Sequence, residues 1–223
     1  MRSQAKNKEY LNLFQTDLSE PLGVDDIKKV YLNLFHVPIQ ITELELNVDS
    51  LIEFCYEMKR KDEIGIERSN VGGWHSDNIF NETHTEFVKL KTEIEDVANI
   101  YHHEIQLKKT YNQKVNEIWI NINQKGHSNA FHVHPQQILS GAFYLTKGTA
   151  GIEFQHPYQD INTYFWESSF IDSWAPSNSG VWKVVPEPNT LIIFPAWLWH
   201  KVDMNKEDTD RITFSFNTQL DKK

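Results

Sequence analysis

Three histidines in the second half of the chain have the spacing of a metal site. His132 and His134 are two residues apart in KGHSNAFHVHPQQ, and His200 follows the apolar run LIIFPAWLW. On a strand, residues two apart point to the same face, so the first two imidazoles can reach one ion. A later, neighbouring strand can supply the third. Three imidazoles that leave coordination positions open suit a first-row metal such as Fe, Mn, Cu, Ni or Zn.

A polar strand face is predicted shortly after His200. In RITFSFNT, which starts at Arg211, the Arg, Thr, Ser and Asn residues alternate with apolar residues and therefore share one face. This face either lines a polar cavity or is exposed to solvent. A guanidinium group followed by hydroxyl groups can bind a carboxylate through charge-assisted hydrogen bonds. Together with the three histidines, this polar face predicts an anion-binding site next to a metal site.

The neighbouring aromatic and histidine residues are less specific. Trp119, Trp197 and Trp199 either wall the cavity or pack in the core. His127 could replace one of the first two histidines, but its spacing points it to the other strand face. His75, in SNVGGWHSD, is assigned to a structural turn whose glycines allow positive φ, and not to the site.

The surrounding pattern predicts an α+β protein. Residues 48–60, with Asp49 as the N-cap, and residues 85–103 have apolar residues at helical spacing. Short strands, typical of an antiparallel sandwich or barrel, are predicted at 118–123, 138–146, 151–155, 181–185, 190–194 and 211–218. We expect residues 1–30 to be an extension, and residues 31–223 to be one domain in which a helical part (31–115) supports a β-core (116–220).

Composition restricts the class of protein. The 223-residue chain has a net charge of −9, which disfavours nucleic acid as a partner. The single cysteine, Cys55, excludes an internal disulfide and suits the reducing cytoplasm. The longest apolar run, residues 191–199, is about half of the ~20 residues that span a bilayer, and no signal peptide is visible, so no membrane association is expected.

Several segments together resemble a known family. They are IERSNVGGWHSD (66–77), WININQKG (119–126), HVHP (132–135), LSGAFYL (139–145), IEFQHP (152–157), LIIFP (191–195), WHKV (199–202) and DRITFSFN (210–217). Over residues 34–218 the chain resembles the 2-oxoglutarate- and Fe(II)-dependent oxygenases, and more narrowly a subfamily of unassigned substrate. The resemblance implies a double-stranded β-helix, a jelly-roll or cupin-like core with the N-terminal helices packed on it.

The resemblance also implies cofactors and residue roles. Fe(II) would be bound by His132, His134 and His200, although the wider superfamily has a carboxylate where His134 stands. The distal carboxylate of 2-oxoglutarate would be bound by Arg211 and Tyr144, with a hydroxyl from Thr213 or Ser215. The implied reaction consumes O2, hydroxylates a small-molecule or peptide substrate and releases succinate and CO2. The long aromatic loop at 158–179 could be a lid or the contact of a homodimer.

Two other functions fit parts of the pattern. Gly126, followed after five residues by His132-x-His134, resembles the opening of a cupin metal motif, but the glutamate and the glycine expected further on are missing. A cupin-type three-histidine dioxygenase or isomerase is therefore one alternative. A non-catalytic barrel that binds a carboxylate or a sugar is the other. Both alternatives leave Arg211 dispensable for chemistry.

Overall fold

The computed structural model describes residues 35–148, 150–160 and 167–223. Residues 39–223 form one compact unit. The predicted extension at 1–30 lies outside the described residues, and the proposed division of the chain at residue 30 stays a prediction.

Two helices form where the apolar spacing predicts them. Helix α1 spans Val48–Lys61 and helix α2 spans Thr85–Glu104. The N-cap of α1 is Asn47, not Asp49, because the Asn47 side chain accepts a hydrogen bond from the Ser50 backbone N–H at 3.1 Å. Each helix buries one apolar stripe, centred on Phe54 in α1 and on Ile94 in α2.

The described strands form two antiparallel sheets. Their bounds are β1 (Gln40–Glu43), β2 (Asn70–Val71), β3 (Trp74–His75), β4 (Tyr111–Asn123), β5 (Ser128–His132), β6 (Leu139–Tyr144), β7 (Ile152–Gln155), β8 (Val181–Val184), β9 (Thr190–Pro195), β10 (His200–Val202) and β11 (Arg211–Lys222). The first sheet has the order β1-β9-β6-β11-β4-β3, and the second has the order β2-β5-β10-β7-β8. The part of the chain before residue 116 is therefore not only helical, since β1, β2 and β3 add strands to both sheets.

Strand β11 separates the core from a cavity between the sheets. Its apolar residues Ile212, Phe214 and Phe216 are buried in the core that the helices share with the first sheet. The Phe214 ring lies 5.5 Å from the Phe87 ring of α2 and 6.4 Å from the Phe54 ring of α1, measured between centroids. The alternate residues of β11 face the other way, into the cavity.

Truncating Phe214 tests this packing. We expect Phe214→Ala to lower the free energy of unfolding by about 3–5 kcal/mol, because it removes a fully buried ring that both helices contact. The matched control is Phe170→Ala, since Phe170 is 73% exposed and its loss should change stability by no more than about 0.5 kcal/mol. Urea denaturation measures both values. Equal losses for the two variants would contradict this account of the core.

Candidate active site

Three imidazoles meet at the inner face of the second sheet. His132 ends β5 and pairs directly with His200, the first residue of the neighbouring strand β10. His134 lies just beyond β5, where its backbone N–H donates to the Ala196 carbonyl at 2.9 Å. One ring nitrogen of each histidine lies within 4.8 Å of the other two, so the three could hold one metal ion.

Backbone hydrogen bonds fix the tautomers of two of these rings. The Nδ1 atoms of His132 and His200 lie 2.7 and 2.8 Å from the carbonyl oxygens of Ala130 and Leu198. A carbonyl only accepts, so each Nδ1 must carry a proton and donate it. The Nε2 atom of each ring is then left with a free lone pair, the form in which histidine binds metals.

Burial keeps the three rings neutral. It lowers the pKa of His134 to about 4 and that of His200 to about 3, and it also lowers the pKa of His132. Mutual repulsion between the rings adds to the effect in His134 and His200. At neutral pH each ring can therefore accept a metal without first losing a proton.

The same cavity contains the residues predicted to bind an anion. Arg211, Tyr144 and Thr213 line it together with the three histidines, and its empty volume is about 500 Å³. Thr213 pairs with Tyr144 across β11 and β6, so their side chains point to the same side of the first sheet. The structure thus brings all six predicted residues to one cavity. Burial raises the pKa of Tyr144 to about 12, so its phenol remains a hydrogen-bond donor at neutral pH.

Arg211 has unused hydrogen-bonding capacity in this cavity. Its side chain is 3% exposed, and Nη1 donates to the Asp203 carbonyl at 2.8 Å. Its Nη2 atom is buried and has no partner among the described residues. Arg211 is also the only charged side chain among the described residues that line the cavity. The Asp203 carboxylate attracts this charge but forms its ion pairs with Lys183 and Lys201. A buried guanidinium is costly unless an anion pairs with it directly. The residues therefore fit a dicarboxylate cosubstrate beside a three-imidazole metal site.

Amide side chains complete the polar wall of the cavity. Asn121 donates from Nδ2 to Ser215 Oγ at 3.0 Å, and Asn123 donates from Nδ2 to Asn129 Oδ1 at 3.3 Å. Asn121 and Asn123 are on β4, directly opposite Thr213 and Arg211 of β11. These residues are two apart on each strand, so β4 and β11 together present one continuous polar face.

A second, more open cleft adjoins the histidines and has an empty volume of about 1420 Å³. Trp119 and His134 line both the inner cavity and this outer cleft, with ring centroids 5.7 Å apart. Trp197 and Trp199 line neither space and are about half exposed, so they neither wall the cavity nor pack in the core, and both expectations are wrong for them. They follow β9 in a turn that carries their side chains outwards.

His75 is a residue of the outer cleft that the sequence alone assigns to a turn. Its buried ring stacks on Trp119 with 5.6 Å between centroids, and its Nδ1 lies 2.6 Å from the Ser76 carbonyl oxygen. The turn is also present, since Gly72 and Gly73 have φ values of 69° and 75°. The Gly73 backbone lies so close to the Asn123 side chain that a Cβ on Gly73 would overlap it. Glycine thus lets the turn pack against β4, and this packing positions His75.

His127 stays outside the site, as its spacing predicts. Its Nδ1 accepts a hydrogen bond from the Gln124 backbone N–H at 3.2 Å, and its ring packs against Gly72. His127 therefore closes a turn between β4 and β5.

Comparison with known proteins gives an independent result. A model of a protein family described as "Putative 2OG-Fe(II) oxygenase" matches residues 117–217, the segment that holds the three histidines and Arg211. A comparison with curated protein sequences finds no match. In the part of the chain that the structure describes, no helix is both long and apolar enough to cross a membrane.

Solved structures resemble this fold at low sequence identity. A prolyl-4-hydroxylase from Pseudomonas putida has a TM-score of 0.53 and 12% identity, covering 81% of this chain and 91% of that one. The non-heme α-ketoglutarate-dependent carbocyclase SnoK from nogalamycin biosynthesis has a TM-score of 0.60 and 12% identity, covering 82% and 79%. HygX from Streptomyces hygroscopicus, crystallised with nickel and 2-oxoglutarate, has a TM-score of 0.53 and 9% identity, covering 82% of both chains. At these identities the likeness establishes the fold, and the predicted α+β class with a double-stranded β-helix core is confirmed.

Proposed function

We propose that this protein, whose residues 117–217 match the model of a 2OG-Fe(II) oxygenase family, uses iron and 2-oxoglutarate to hydroxylate a C–H bond of a small-molecule or peptide substrate. The observation that carries this proposal is the buried Arg211 guanidinium, whose unpartnered Nη2 shares a cavity with three neutral imidazoles.

In this proposal His132, His134 and His200 hold Fe(II). The Ala130 and Leu198 carbonyls keep two of the rings oriented, with their Nε2 lone pairs free. Three neutral ligands leave the site one charge less negative than two histidines and a carboxylate would. Because Arg211 would neutralise one carboxylate of the dianionic cosubstrate, only the other would offset the charge of the iron.

Arg211, Tyr144 and Thr213 would hold 2-oxoglutarate in this cavity. The unpartnered Nη2 of Arg211 would pair with the distal carboxylate, and the protonated Tyr144 phenol and the Thr213 hydroxyl would donate to the same group. Fixing this end orients the rest of the cosubstrate. When bound, iron and 2-oxoglutarate supply the power to oxidise a C–H bond with O2, and the cosubstrate leaves as succinate and CO2.

The remaining residues exclude water and receive the substrate. Phe194 and Ile152 form an apolar wall of the inner cavity, and the Phe194 ring packs 4.6 Å from the His200 ring. Trp119 stands between the inner cavity and the outer cleft, so a substrate in the cleft lies next to His134.

We further propose a cytoplasmic location, and a homodimer remains a prediction.

An anaerobic titration tests the proposal. We expect the Fe(II)-loaded protein to develop a weak visible charge-transfer band as 2-oxoglutarate is added, because the keto acid chelates the iron. Succinate is the control, since it has both carboxylates but no ketone and should give no band. Iron bound at one per chain without a band would instead indicate a three-histidine metal enzyme that does not use 2-oxoglutarate.

A further inference from the structure

The polar face shared by β4 and β11 continues beyond the inner cavity and ends at a carboxylate. Register pairs Arg211 with Asn123 at the inner end, and Asn217 with Glu117 at the outer end. The six residue steps from Arg211 to Asn217 span roughly 20 Å at the ordinary strand rise. Glu117 and Asn217 both line the outer cleft. The face therefore has a cation at its closed end and an anion at its open end.

The Glu117 carboxylate is held in place by two amides. Its Oε2 accepts from Asn217 Nδ2 at 2.8 Å and from Gln137 Nε2 at 3.4 Å. No lysine, arginine or histidine in the described part of the chain forms an ion pair with it. Glu117 is half-buried, so its charge is partly removed from water without a compensating cation.

The two amides leave further acceptors unused at the same place. Their nitrogens point to Glu117, which fixes the amide orientation. Asn217 Oδ1 and Gln137 Oε1 are buried and have no donor among the described residues, and Asn217 itself is 3% exposed. A buried acceptor without a donor is unfavourable, because it has lost its hydrogen bonds to water and gained none in the protein. Two carbonyl oxygens therefore lack donors among the described residues, and the carboxylate beside them is bound by neutral amides and has no cation partner there.

A strand irregularity accompanies this cluster. The register of β4 against β11 shifts between Asn217 and Thr218, because Asn217 pairs with Glu117 and Thr218 with Val115, leaving Asn116 as a bulge. A bulge interrupts regular pairing and redirects the neighbouring side chains, and bulges are common beside functional sites. Here the bulge adjoins Glu117 at the lining of the cleft.

We propose that Glu117, with the carbonyl oxygens of Asn217 and Gln137, forms a subsite for a cationic group of the substrate, an ammonium or a guanidinium. This assignment rests on the proposed function, since the outer cleft is where that function puts the substrate. An ammonium group has three donors and a guanidinium five, enough to serve the carboxylate and both carbonyl oxygens. The charged residues that line the cleft are Glu117, Asp77 and Arg68, which sum to −1 and favour a cation.

Binding of simple cations tests the subsite. The probes are n-butylammonium and agmatine, with n-butanol as the neutral analogue. Binding is followed by the NMR chemical shift of the Trp119 indole N–H, and the Trp119→Phe variant assigns this signal. The titrations use the full chain, once loaded with Zn(II) and 2-oxoglutarate and once unloaded. We expect both cations to bind at least tenfold tighter than n-butanol, and Glu117→Gln to weaken them at least tenfold. Raising the salt concentration should also weaken both.

Glu53→Gln is the matched control. Glu53 is an exposed residue of α1, so this variant removes the same charge without touching the cleft, and it should bind both cations like the unmodified protein. Equal cation affinity in the unmodified protein and Glu117→Gln overturns the subsite, as does binding of n-butanol as tight as that of the cations, or no binding of either cation. The charge-transfer band in the iron-loaded protein reports separately on the proposed function. Cation binding that depends on Glu117 in a protein without that band would support the subsite while rejecting the cosubstrate.

Discussion

Replacing His200 with alanine is expected to abolish stoichiometric iron binding. The unmodified protein should retain about one Fe(II) per chain after desalting, whereas His200→Ala should retain less than a tenth of that. Loss of an outer-shell partner of a metal ligand typically weakens metal binding 10–100-fold. Loss of one of three ligands should therefore weaken it by more than about 100-fold. Metal analysis and a competition titration with a chelator measure the two quantities.

The control for this variant is His103→Ala, which removes an exposed histidine of α2. His200 also packs against Phe194, so alanine could disturb the sheet. His132→Gln avoids this problem because it keeps a side chain of similar length on β5. Both site variants should lose iron while circular dichroism shows an unchanged fold. A folded His200→Ala protein that keeps one iron per chain would remove His200 from the ligand set.

Replacing Arg211 with alanine is expected to weaken 2-oxoglutarate binding by about 100-fold and to leave the iron content unchanged. Breaking one side of a buried, hydrogen-bonded charge pair costs about 2–5 kcal/mol, and a 100-fold loss corresponds to about 2.7 kcal/mol. The anaerobic charge-transfer titration gives the dissociation constant directly. The midpoint for Arg211→Ala should move to correspondingly higher 2-oxoglutarate concentrations.

Two further variants make this result specific. Arg211→Lys keeps the charge but loses the fork of donors, so its affinity should lie between those of the other two proteins. Arg60→Ala removes an exposed arginine at the end of α1 and should change nothing. Without 2-oxoglutarate, Arg211→Ala should be no less stable in urea than the unmodified protein, because it removes a buried charge that forms no direct ion pair in the described part of the chain. An unchanged 2-oxoglutarate affinity in Arg211→Ala would favour the cupin-type alternative.

Regular elements with strong periodicity could be predicted from the sequence. Helix α2 begins at Thr85, as predicted, because its apolar stripe persists from its first turn to its last. The histidine spacing implies strands near His132 and His200, but it does not give the bounds of β5 and β10. Both are short and polar, SNAFH and HKV, and they are strands because they pair with each other and with β2 and β7 in the second sheet. Strand β4 begins at Tyr111 rather than 118, since its polar first half is specified by pairing with β11.

The residues of the site also fall into those that local sequence predicts and those that it does not. Alternation along RITFSFNT predicts the cavity-facing position of Arg211, because a strand face can be read locally. His75 and Glu117 could not be identified locally. His75 is placed in the cleft by a glycine turn that packs on Asn123. Glu117 is placed there by the register shift of β4 against β11. Both depend on contacts between segments that are distant in sequence, so no local pattern marks them.

Strand β11 restricts how this protein can vary between species. Its alternate residues belong to the packed core and to the polar face, so inserting or deleting one residue would exchange the two sets. Changes in chain length should therefore accumulate in the connecting loops and be absent from this strand. Point substitutions at the open end, around Asn217 and its neighbour Glu117, leave both the core and Arg211 intact. That end is where descendants of one ancestral gene could diverge in substrate while keeping a common cosubstrate.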